Sequence, residues 1–163
     1  MALLLGGQRS VALVIAFALA VAAPGLASAE TTTAEPVTAS LLEPFMQALR
    51  EPDVARSSKA TLPFVHRSLW NGSRDDLAPD LKRFSFKKAH ANAALYATPV
   101  KVVRVAPTGI SAIGVAPAIE QGTVVDYFLE RKAAPGASVS PAPVRVFFPG
   151  AGGPPKVVYM GSL

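Results

Sequence analysis

The chain has no cysteine, two histidines, one tryptophan and only 11 acidic residues among 163. Without cysteine there can be no disulfide, no thiolate metal site and no lipid-modified cysteine anchor behind a leader. Neither histidine has a carboxylate at metal-ligand spacing, so a zinc site is not expected, and no other cofactor is implied. No twin-arginine pair marks the N-terminus and no internal repeat divides the chain. The glycine-rich stretch Ala151–Pro155, AGGPP, lacks the lysine, the serine or threonine and the following helix that a phosphate-binding loop needs, so it reads as a turn.

Half of the residues are apolar, which suffices for one hydrophobic core in a chain of this length. Much of that apolarity is at the N-terminus. Arg9 precedes 13 apolar residues from Val11 to Ala23, Pro24 and Gly25 break any helix, and Ala27-Ser28-Ala29 has the A-x-A form of a leader-peptidase site before Glu30. A membrane span needs about 20 apolar residues, so residues 1–29 read as a signal peptide and the location as periplasmic or secreted. The rival reading is an uncleaved anchor, which would tether the domain to a membrane. Removing the leader takes Arg9 with it and leaves 15 basic against 11 acidic residues, too mild an excess to name a partner. Residues 30–39 are expected to be a flexible tail and residues 40–163 a single α+β domain.

Ser40 with Glu43 has the form of a capping box, and Leu41, Phe45 and Leu49 repeat at helical spacing, predicting a helix that ends at Glu51-Pro52. A second helical pattern carries Leu62, Val65, Leu69 and Trp70 and closes at Asn71-Gly72; it begins either near Pro63 or near Asp53 with a kink at Pro63. A third runs from about Asp80 to Tyr96, with Phe84-Ser85-Phe86 readable as helix or strand. Pro99 then opens a strand-rich half. The cleanest strand is Gln121 to Lys132, with Val125, Tyr127 and Leu129 on one face and Asp126, Phe128 and Glu130 on the other. Runs from Thr98, Pro143 and Lys156 flank it, and Ile110 to Val115 is a short strand or an ordered loop. The pattern predicts an antiparallel meander in which Val157 and Tyr159 share a face.

Helices first and a curved antiparallel sheet after them is the element order of cone-shaped α+β folds, cystatin-like or nuclear-transport-factor-2-like. On that order, the central YFLERK strand and the closing KVVYMGSL strand, the chain from Ser40 to Leu163 resembles the nuclear-transport-factor-2-like superfamily. The resemblance implies a pocket between sheet and helices, used for catalysis by some members and for binding alone by others.

Candidate site residues are few. His66 and Trp70, four apart, would share a helix face and, with Tyr127, line such a pocket. His90, in AHANAA, reads as a packed helix position. Asp126 and Tyr127 are adjacent in a strand and face opposite sides, so they cannot form one acid/base pair; Asp126 is better matched to Arg145 or Arg104 on a neighbouring strand. Lys82-Arg83 and Lys87-Lys88, interleaved with Phe84 and Phe86, form either a solvated helix face or a patch for an anionic envelope polymer or lipid surface. Asn71-Gly72-Ser73 matches a glycosylation acceptor but reads as a helix-ending turn. The expected function is a noncatalytic exported module holding a small apolar ligand or an envelope protein in that cavity. The alternative is an isomerase- or dehydratase-like enzyme with His66 or Asp126 as base and Tyr127 as donor. A homodimer is compatible with either, nucleic acid is not an expected partner, and membrane attachment depends on an uncut leader.

Overall fold

The computed structural model describes residues 35–114, 119–133 and 139–163. The expected signal peptide and residues 30–34 of the expected tail lie outside these. Three helices come first. The π-helical turn Thr38–Leu42 runs directly into the α-helix Glu43–Leu49, together α1. Helix α2 is Val54–Thr61. Helix α3 joins Pro79–Leu81, a π-helical turn Lys82–Phe86, the α-helix Lys87–Asn92 and a 3-10 turn Ala93–Leu95. Four strands follow, β1 Val102–Ile113, β2 Glu120–Leu129, β3 Ala142–Pro149 and β4 Lys156–Tyr159. They form one open antiparallel sheet in chain order, a meander.

Ser40 is not a cap. It lies inside α1, and its hydroxyl donates to the Pro36 carbonyl at 2.6 Å. Buried Val37 shows that packed structure begins before residue 40, inside the stretch expected to be a tail. Pro44 gives a physical reason for the π-turn ahead of it: it cannot donate to the Ser40 carbonyl and its ring crowds that group, so the helix widens there. Glu43, expected to complete a capping box, instead accepts the backbone N–H of Val100 and ties α1 to the approach to β1.

The second helix starts at the earlier of the two sites considered. Asp53 caps it, accepting the Arg56 N–H at 2.7 Å. It does not continue to Trp70. After a 3-10 turn at Leu62–Phe64 the backbone becomes extended at Val65, which pairs in parallel with Val157 while the His66 N–H donates to the Val157 carbonyl at 2.8 Å. A helix over residues 62–70 would forfeit that pairing and the burial of Val65.

On the sheet, Val125, Tyr127 and Leu129 face the helices as the alternation predicts. They pack with Val144 and Val146 of β3 against Leu42, Phe45, Met46 and Leu49 of α1 and Phe86, Ala89 and Ala93 of α3. β1 is one long strand with irregularities between Val102 and Arg104 and between Pro107 and Gly109, so Ile110–Ile113 belongs to it and is not separate. Gly109 stands at φ 114°, a conformation that favours glycine. A third irregularity, opposite Arg145/Val146, separates Val157 from Tyr159: Val157 is buried, whereas Tyr159 is exposed over Arg145, so the two do not share a core face. Asp126 meets Arg145 as expected, in a two-pronged pair at 2.8 and 3.0 Å on the sheet's outer side.

Further polar ties hold the helices in place. Arg50, at the end of α1, donates to the carbonyls of Ala93, Tyr96 and Ala97 at and just beyond the end of α3. His90 points at the Glu51 carbonyl at 2.9 Å, which makes it a packing residue. Asp76 accepts from the Ser58 hydroxyl, the Lys82 ammonium and the Leu77 N–H. Burial pushes the Asp76 carboxyl up, but those bonds outweigh it and hold the group below its ordinary value.

Leu129 is fully buried, whereas Glu130 is partly exposed in a solvent-screened pair with Lys101. Leu129→Ala should therefore destabilise by about 2 to 5 kcal/mol in denaturant titration, and Glu130→Ala by less than about 1 kcal/mol. Equal losses would contradict the facing assigned to β2. At Gly122 a β-carbon would collide with the Phe148 carbonyl oxygen and the Phe147 ring. Because backbone cannot yield there as a side chain can, Gly122→Ala should cost more than about 2 kcal/mol and lower the melting temperature by several degrees.

Candidate functional site

The strand-like residues after α2 place His66 on the side of the sheet away from the main core. Its ring meets Phe147 edge-on, with centroids 5.5 Å apart. A second 3-10 turn, Arg67–Leu69, follows immediately, and His66 caps it: the Ser68 N–H donates to Nδ1 at 3.2 Å, and the Ser68 hydroxyl lies 2.9 Å from the same nitrogen. Trp70 is then held by a bridge to Leu77 and by the Asn71–Asp76 turn, in which the Asn71 side chain bonds Asp75. Asn71-Gly72-Ser73 is thus a turn, as read, although no helix ends there.

His66 and Trp70 line one cleft of about 340 Å³ at the edge of the sheet. Pro63 and Val65 form one wall, Pro149 and the Gly152–Pro154 turn form the other, and Arg67, Glu120 and Lys156 stand around it. Gly152 and Gly153 have φ of 86° and 119°, so the AGGPP stretch shapes this wall through two left-handed glycines followed by rigid prolines. The sequence pattern put His66 and Trp70 on one helix face. The tertiary structure brings them to one site by a different route, with no helix between them.

Tyr127 is not part of this cleft. It lies in the core between β1 and β3, beside Val105 and Val144, where burial pushes its hydroxyl pKa up. The space expected between helices and sheet is occupied at this point by core side chains, among them Phe45 and Leu129, with Trp70 packed at their margin. Asp126 and Arg145 are committed to each other. The residues that pattern reading missed are Glu120, Arg67 and Lys156. Arg67 adjoins His66 in sequence, but nothing local indicates that the first residue of β2 and the start of β4 meet it in space.

The polar geometry of the cleft is specific. Because Nδ1 of His66 accepts a backbone N–H, the neutral ring carries its proton on Nε2. That N–H is aimed toward Glu120 but is 3.6 Å from Oε1, too long for a hydrogen bond, and Glu120 is engaged by Arg67 at 2.6 Å. Among the described residues, neither Nε2 of His66 nor Nε1 of Trp70, both buried, has an acceptor. Burial holds the His66 imidazole below its ordinary value; Glu120 pulls it up, and Arg67 and Lys156 push it further down. Among the described residues, no group of three or more His, Asp or Glu side chains is placed to hold a metal ion.

The His66 shift has a sign in stability. The unfolded chain takes up this proton at a higher pH than the folded one, so the contribution of the neutral ring is complete above about pH 6.5 and is lost as pH falls through the lower folded value. Urea titrations from pH 7.5 to 5 should show wild type losing stability faster than His66→Gln, which cannot titrate. Parallel curves for the two proteins would show that the ring titrates in the fold as it does in the unfolded chain, and a relative gain by wild type at low pH would show that the fold favours the charged ring.

No protein-family model, no curated protein and no solved structure matches the chain.

Proposed function

We propose that the chain is an exported, noncatalytic binding domain of the cone-shaped α+β type and that its ligand site is the His66–Trp70 cleft. The single observation carrying this reading is the pair of buried, unsatisfied N–H donors in one concave site, His66 Nε2 and Trp70 Nε1. A buried donor without an acceptor costs about 1 to 3 kcal/mol, a deficit that a ligand oxygen can relieve. The walls formed by Pro63, Val65, Pro149 and Pro154 are apolar, so the matching ligand is a small apolar body with an acceptor group at one end. Helices preceding a four-stranded meander support the cone-type reading, and the sequence pattern of Arg9, the apolar run Val11 to Ala23 and Ala27-Ser28-Ala29 supports export.

The enzymatic alternative needs a free base. The lone pair of His66 on Nδ1 is taken by Ser68, and Asp126 is held by both arms of Arg145 on the other strand. Tyr127, its intended hydrogen-bond donor, belongs to the core. These placements favour binding over proton transfer.

Trp70 is the only tryptophan, so its emission reports on the cleft directly. The probe is anilinonaphthalene sulfonate, an apolar ring system with an acceptor-bearing end. It should bind the natively folded protein saturably, quench Trp70 by energy transfer, and lose at least about tenfold in affinity in His66→Ala, consistent with one buried hydrogen bond and its packing. Binding that leaves Trp70 emission unchanged, or that is unaffected by His66→Ala, would place the ligand elsewhere and overturn the assignment.

A further inference from the structure

A second surface, remote in character from the cleft, is built by α3. From Leu81 to Ile119 the chain contains no acidic residue and six basic ones. Four of them lie along the α3 stretch, where Arg83, Lys87 and Lys88 are exposed. Phe84 stands among these three with 62% of its surface exposed, the most exposed aromatic side chain of the described residues.

That exposure has a backbone cause. Leu81, Phe86, Ala89 and Ala93 pack toward the core, and the step from Leu81 to Phe86 is five residues. In an unbroken α-helix, 3.6 residues per turn would bring residue 84 or 85 to the core below Leu81. The π-helical turn Lys82–Phe86 takes up the extra residue, so Phe86 is buried in that place and Phe84 is turned out. The outward face continues with Ala91 and Ala94, too small to obstruct a flat surface, and ends at half-exposed Leu95. Beside Phe84, an open recess of about 540 Å³ lies between α3 and Gly161, bordered by Arg83, Lys87 and Lys88.

We propose that this face of α3 docks on an anionic lipid surface, with Phe84 entering the interface between headgroups and acyl chains and Arg83 and Lys87 meeting the phosphates beside Lys88, whose ammonium also donates to the Gly161 carbonyl at 3.1 Å. One protruding aromatic ringed by cations, with no carboxylate after Asp80 in the first turn of the helix, is the pairing of apolar insertion with charge attraction that interfacial helices use. The open recess beside the ring has room for a phosphate headgroup. An acidic protein partner would be matched by the charges but gives no role to the protruding Phe84 ring, which the Arg83 guanidinium approaches to 5.3 Å.

The test is partition of the full chain onto vesicles of phosphatidylcholine alone and of phosphatidylcholine with a quarter phosphatidylglycerol. Whatever residues 1–29 contribute is common to all variants and cancels in the ratio. Wild type should prefer the anionic vesicles by at least about tenfold. Lys87→Glu should reduce that preference by more than about fivefold, since each basic group near such a surface contributes roughly that factor and the variant also reverses the charge. Phe84→Ser should weaken anionic binding by about tenfold or more while leaving the melting temperature unchanged, as its side chain is exposed. Arg104→Glu, an equal charge change on the outer side of the sheet where Arg104 lies over Phe128, should leave partition unaltered. The proposal is overturned by equal binding to the two vesicle types, by a Phe84→Ser variant that binds as wild type, or by an Arg104→Glu loss equal to that of Lys87→Glu. Binding to polyglutamate but not to either vesicle would likewise overturn it and identify the face as a site for acidic polypeptide.

Discussion

The helix-facing side of β2 is the constraint on which the rest of this structure depends. Tyr127 and Leu129 are completely enclosed, between β1 and β3 within the sheet and beneath α1 and α3 above it. Each large side chain removed from water here contributes about 1.5 to 3 kcal/mol, and neighbouring strands place Val105, Val144 and Val146 on the same face. Once that face is covered, the strand period of two sends Asp126 and Phe128 outward. There they are satisfied locally, Asp126 by Arg145 and Phe128 by the guanidinium of Arg104, 3.6 Å from the ring centre.

Covering this face requires the helical half to be attached to the end of the chain. Besides the bonds of Lys88 and Asn92 to the Gly161 and Leu163 carbonyls, the attachment runs through Val65 beside Val157, the His66 N–H on the Val157 carbonyl, and Lys156 reaching back to the Pro63 carbonyl. The same few residues create the cleft. Extended backbone at Val65 buries its side chain on the core side and turns His66 to the other face, where Phe147, Glu120 and the glycine turn of the β3–β4 loop surround it. A buried imidazole with one nitrogen capped by backbone and the other unpaired is thus a by-product of attaching the helical half to β4, and it is the feature on which the proposed acceptor-bearing ligand rests.

Both surfaces with a proposed role depend on a local departure from regular helix geometry. At the cleft, α2 gives way to strand-like backbone because pairing with β4 is worth more than another helical turn. On α3, one extra residue is absorbed as a π-turn, which keeps the buried stripe continuous and exports Phe84. In each case the core's demands set the departure, and the side chain left on the outside acquires a chemical environment that regular geometry would not have given it.

Local pattern was enough for much of the architecture. The alternation in β2 determined which of its side chains face the core, the paired Gly and Pro of AGGPP determined a reversal between β3 and β4, and the opposite charges of Asp126 and Arg145 determined their partnership across strands, because each of these rests on interactions within a few residues or on a strict period of two. The helical spacing in α1 and α3 was legible for the same reason. Pattern reading failed where distant segments compete for the backbone. Leu62, Val65, Leu69 and Trp70 have helical spacing, yet Val157, about ninety residues away, captures Val65 as a strand neighbour. Tyr127 could be placed inward but not assigned to core or pocket, since alternation gives a side and not what fills the space beyond it. The meeting of His66 with Glu120, Arg67 and Lys156 was decided by tertiary structure alone: their approach is a consequence of how β2 and β4 are brought to the end of α2, and no local spacing encodes a contact made between three separate stretches of chain.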